Sequence, residues 1–192
     1  MKRSFVLVLT LLLPAATLAD EVELPCQQHF SPILTAATYW EDAAQLEGLP
    51  DWRADKKVAA LVMKISPRDV PEDEARAQVA AFRKISRNKK TLPLLFSGLV
   101  DETNKQRDEV IGKIRDMGER QINLSHTIEK VNNELAATPE DQAAKRDEIQ
   151  RRRGFLVRDY DSLDRTLRYA CQIPVDLEGR LGALGRALQE GN

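Results

Sequence analysis

From Phe96 to Ala170 the apolar positions recur in steps of three and four, and the rest of the chain is read around that stretch. One seam position holds Val100, Arg107, Ile114, Gln121, Ile128 and Leu135; its partner position holds Phe96, Thr103, Val110, Met117, Leu124 and Val131. Such alternation, sustained over several heptads, marks a coiled-coil seam. Thr138-Pro139-Glu140-Asp141 then reads as a helix start, with Thr138 as N-cap, Pro139 at the first helical position and two acids at the positive end of the dipole. The spacing resumes in Ile149, Arg153, Leu156, Tyr160, Leu163, Leu167 and Ala170. A short turn between two long helices folds them antiparallel. Closure about Thr138-Pro139 sets Gln121 against Leu156 and Leu124 against Arg153.

The seam widens at one end. Leu94, Leu95, Phe96, Leu99, Val100 and Ile111 exceed a two-residue stripe, whereas Asn132, Asn133 and Glu134 leave only the bare seam near the turn. A wide stripe needs more than one partner helix. The predicted fold is therefore all-α, a helical bundle base with a long antiparallel coiled-coil hairpin. Acid-then-base pairs four apart, such as Asp147/Arg151 and Asp164/Arg168, support its exposed faces.

Shorter helices flank the hairpin. Ser31-Pro32 predicts a first helix with Ile33, Leu34, Ala37, Trp40 and Ala44 on one face, ended by Gly48 and Pro50. Asp51 caps a second, striped by Trp52, Val58, Leu61, Val62 and Ile65 and stopped at Ser66-Pro67. A third opens after Val70-Pro71 and carries Val79, Phe82 and Ile85 on its apolar side. Ile173-Pro174 is expected to break the second hairpin arm, and Asp176 to cap a last helix with Leu177, Leu181, Leu184 and Leu188 in line. Beside that line Gly179, Gly182 and Gly185 make a smooth face that another helix can approach. The expected organisation is a signal peptide over 1–19 and a single helical domain over 20–192. That domain comprises N-terminal helices over 20–92, the hairpin over 93–172 and a C-terminal helix over 173–192.

The beginning of the chain changes where the protein is expected. Lys2 and Arg3, the apolar run Phe5–Leu13 and the small residues up to Ala19 have the order of a secretory signal, cleaved near Ala19. The apolar run is too short for a membrane span. The product is expected in a bacterial periplasm, or secreted to the medium. There Cys26 and Cys171, the two cysteines of the chain, are expected to form one disulfide joining the N-terminal segment to the second arm. The formal net charge is −1, which argues against nucleic acid as a partner.

Candidate chemistry is sparse. His29 and His126 fit no metal-ligand spacing, and there is no haem, phosphate-loop or nucleophile-elbow motif. No cofactor or metal is expected. The basic cluster Arg83, Lys84, Arg87, Lys89 and Lys90 reads as cations at a helix C-terminus, with contact to anionic headgroups or an acidic partner as its functional reading. Arg107, Gln121 and Arg153 put polar groups where the seam calls for apolar ones. They read either as register-fixing residues or as the lining of a small-ligand pocket. The expected function is a non-enzymatic, exported protein-interaction module: an adaptor, assembly factor or chaperone-like protein that engages another envelope protein. Self-association through the hairpin is compatible with the same seam. Two alternatives are an all-helical enzyme or ligand binder centred on Arg107, Gln121 and Arg153, and an inhibitor or immunity protein.

Overall fold

The structure is a computed structural model that describes residues 24–190 apart from Pro32, Arg87 and Lys89. The signal peptide expected over 1–19 lies outside the described residues. Four helices run in the order α1 (Lys56–Ile65), α2 (Glu72–Ile85), α3 (Thr91–Ala137) and α4 (Ala143–Gln189), and among the described residues there is no strand. The long helices α3 and α4, 47 residues each, fold back on one another as the hairpin.

α1 starts where Asp55 accepts hydrogen bonds from the amides of Lys57 (2.9 Å) and Val58 (3.1 Å), two of the donors that a helix N-terminus leaves free. It buries Val58, Leu61, Val62 and Ile65, the face predicted by their spacing. α2 follows Pro71 with Glu72, Asp73 and Glu74 in its first turn and buries Ala75 and Val79. Ile85, assigned to the same face, is exposed. Two steps of three residues carry it about 120° around the helix from Val79. These helices, with Trp40 and Trp52, complete the base core around Leu95, Phe96, Leu99, Leu181 and Leu188. Close approach is built in at Gly98, where an added Cβ would lie 2.7 Å from Val62 and 2.9 Å from Trp52.

Asp51, expected to cap the second predicted helix, instead caps the 3-10 turn Trp52–Ala54, and Asp55 caps α1. Three larger expectations give way. The segment after Ser31 is not an α-helix; it is an extended strap with short 3-10 turns at Ala36–Thr38 and Ala43–Leu46. Tertiary bonds replace helical ones there. The amide of Leu34 donates to Asn104 (2.9 Å), and Asn104 donates back to the Leu34 carbonyl (2.8 Å). Ile33 consequently points outward while Leu34 and Trp40 are buried.

Second, Ile173-Pro174 does not divide the second arm, so α4 continues to Gln189 and there is no separate C-terminal helix. Pro174 removes the amide that would bond the Ala170 carbonyl, at a cost of about 3 kcal/mol in a helix interior. Burial of Leu177, Leu181, Leu184 and Leu188 just beyond it, roughly 1.5–3 kcal/mol each, outweighs that break. Of the three glycines beside this line, Gly185 does meet α3, a Cβ there lying 2.9 Å from the Phe96 ring, and Gly182 faces Tyr39, whereas Gly179 faces open space.

Third, Thr138 caps the end of α3 rather than the start of α4: its hydroxyl donates to the Glu134 carbonyl (2.8 Å). Arg146 reaches back across the turn to donate to the carbonyls of Leu135 (3.1 Å) and Thr138 (2.6 Å). Residues 138–142 are therefore outside helix, and the arms close on a wider turn than Thr138-Pro139 alone would make. The register shifts with it. Gln121 meets Asp164 (3.2 Å) and Arg153 meets Asn132 (2.6 Å), each eight residues beyond the partner expected from the tighter turn.

Candidate functional site

Among the described residues the hairpin divides into a strapped half and a bare half. The described part of the strap starts with Leu24, and Pro25 lies against α3 at Gly118, where a Cβ would come within 2.9 Å of the proline ring. Cys26 is bonded to Cys171, with Cα atoms 5.7 Å apart. The strap then runs toward the base past Arg107 and Asn104 to Trp40, whose ring meets Phe96 at 5.2 Å. Leu24 and Cys26 thereby cover a second core of Val110, Ile114, Leu163, Leu167 and Cys171.

Arg107 is 0 % exposed beneath this strap. Its Nη2 donates to Glu178 Oε1 (2.7 Å) and to the Ser31 carbonyl (2.8 Å), tying α3, α4 and the strap together. Among the described residues its Nε and Nη1 meet no acceptor. Burial pushes the nearby Tyr39 hydroxyl above its ordinary pKa; Glu178 adds to that shift and Arg107 opposes it. A guanidinium in this setting is a structural brace.

Gln121 and Arg153 are elsewhere. Gln121 lies fourteen residues, roughly 21 Å of helix, from Arg107. Arg153 is exposed near the turn. The three polar seam residues thus occupy three levels of the hairpin and do not share a pocket. The two cysteines do come together as expected. Of the basic cluster, Arg83 donates to the carbonyls of Ala187 (3.0 Å) and Glu190 at the end of α4, so it serves a helix C-terminus, though not its own. Lys84 and Lys90 are exposed, and Arg87 and Lys89 lie outside the described residues.

Past Gly118, the hydrogen bonds and ion pairs of the described hairpin residues run within or between its two arms: Arg120 to Asp159, Gln121 to Asp164, Arg152 to Glu134, Arg153 to Asn132. Val131 and Ile149 fill the seam. Outside it Ile122 is 59 % and Phe155 67 % exposed.

The base carries a groove of about 600 Å³ between the α1–α2 loop and α4. Arg68 and Asp69 of the loop with Glu72 of α2 form one wall, and Tyr169, Ile173 and Asp176 of α4 the other. Arg180 spans the gap and donates to the carbonyls of Ile65 (2.8 Å) and Val70. Burial lowers its pKa from the usual arginine value, and Glu72 works in the other direction.

Glu178, Asn104, Arg146 and Arg180 are the residues that sequence reasoning missed. A buried Arg107 did call for an acidic partner, but Glu178 lay in a segment assigned to a separate helix. Among the described residues no cluster of His, Cys, Asp and Glu is placed to hold a metal ion. None of the described helices is long and apolar enough to cross a membrane. Compared with protein families, with curated proteins and with solved structures, the chain matches none.

Proposed function

We propose that the protein is an exported interaction module, an adaptor or assembly factor, that engages another envelope protein through the bare half of its hairpin. The observation that carries this reading is the change at Gly118. On one side the arms are packed by the strap, α1 and α2; on the other, among the described residues, they continue for about thirty ångströms as two helices. A fold that served only to bury its own core would gain little from that extension, since a two-helix seam has few apolar neighbours. Partner recognition by a helical face fits it. Export is supported by the charged, apolar and small-residue order of the first nineteen positions and by a disulfide of the kind that persists in oxidising compartments.

The test is photo-crosslinking in cells, with a photoreactive amino acid placed at Ile122 or Phe155 on the hairpin, or at Met63 on the base as the comparison. All three side chains are exposed. The proposal expects a discrete adduct from the hairpin positions and none of the same size from Met63. Adducts from Met63 alone would move the contact surface to the base.

A further inference from the structure

We propose that the basal groove between the α1–α2 loop and α4 binds a basic, apolar peptide segment, with a Lys or Arg of the partner held by the groove's carboxylates.

Arg180 braces the groove. Its side chain reaches from α4 to the carbonyls of Ile65 and Val70 and holds the loop at the distance of an extended arginine. Leu177 on the same helix is buried at its floor, and Ile173 is half-buried beside it. The volume of about 600 Å³ is within the range that encloses a ligand of several residues' side chains. Arg180 donates to two neutral carbonyls and feels Glu72 through space, and Asp176 accepts from Gln172 (3.0 Å). Asp69, Glu72 and Asp176 have no cation within 4.0 Å among the described residues. Three carboxylates against Arg68 and Arg180 leave a net charge of −1 at the lining. Tyr169, 74 % exposed, stands at the rim, where an aromatic face can receive a cation.

These features recognise one kind of occupant. The alkyl stem of a Lys or Arg lies along apolar surface while its head stays among acceptors. A neighbouring Leu or Val would rest on Ile173 and Leu177. An acidic segment would meet Asp69 and Glu72 on one wall and Asp176 on the other, with Arg68 the exposed cation that favours it.

This site is separate from the hairpin, and its test does not involve the hairpin's partner. The probe is a fluorescein-labelled heptapeptide of alternating Lys and Leu, titrated with the oxidised protein by fluorescence anisotropy; the alternating Glu and Leu peptide is the comparison. The Lys-Leu peptide is expected to bind, and the Glu-Leu peptide to bind more weakly. Glu72→Gln and Asp176→Asn should each weaken binding of the Lys-Leu peptide by about two- to fivefold, the range of a single exposed ion pair. Arg68→Ala, which removes a like charge, should tighten it by about two- to threefold. Glu148→Gln on the hairpin should leave it unchanged. All four side chains are exposed, so the variants should fold. Binding that ignores the groove substitutions, a stronger response to the Glu-Leu peptide, or no binding of either would overturn the proposal.

Discussion

A guanidinium has five N–H donors, and removing it from water leaves each in need of an acceptor. Arg107 finds two, Glu178 and the Ser31 carbonyl, through a single nitrogen. Loss of one partner of a buried pair costs about 3–5 kcal/mol, whereas exchange of both for apolar residues of similar volume is often neutral or stabilising. Glu178→Ala should therefore lower stability in urea unfolding by about 3 kcal/mol, and Arg107→Met with Glu178→Leu should recover most of it. A small loss in the single variant would mean that the brace is dispensable. At this scale the sequence was legible wherever spacing alone decided burial: every seam position from Phe96 to Leu135 is buried or half-buried. It was not legible where a side chain binds backbone far away in sequence. Arg180 and Asn104 look like surface residues until the chain that they brace is in place.

Among the elements, the strap was the least legible. Leu34, Ala37 and Trp40 have helical spacing, but local spacing cannot report that Asn104, seventy positions on, takes both backbone groups of Leu34. Likewise Pro174 is a sound breaker signal for an isolated helix and fails in one whose next two turns are buried. The turn was legible as a turn, but its residue-level capping was not, because Thr138 can satisfy either helix end. The disulfide closes a separation of 145 residues, and a loop of that size is worth up to about 5 kcal/mol in the chain-entropy model. Cys26→Ser with Cys171→Ser should lower stability by a few kcal/mol. Hydrogen exchange should show lost protection around Val110, Ile114 and Leu167, with the amides near Val131 and Ile149 unaffected locally. If protection at Val110 and Ile114 were unchanged, Trp40 and Leu34 would suffice to hold the strap.

For the whole molecule, the all-α class and the long antiparallel hairpin were legible from periodicity, and the position of the bare half followed from the narrowing of the apolar stripe toward Asn132. The contact of the strap with α3 at Gly118 was not, since Pro25 lies far from Gly118 in sequence. The groove was equally hidden: its walls belong to segments about a hundred positions apart, bridged by Arg180. Both proposed sites follow from one architecture, a braced base from which a rod extends. Small-angle X-ray scattering with light scattering on the oxidised protein from Asp20 onward tests that architecture most directly. A helix of 47 residues is about 70 Å long, and a compact chain of this size has a radius of gyration near about 16 Å. The account predicts a maximum dimension of at least about 70 Å and a radius of gyration well above the compact value, at the mass of a monomer. A compact radius, or a dimer in which the two hairpins bury one another, would contradict it.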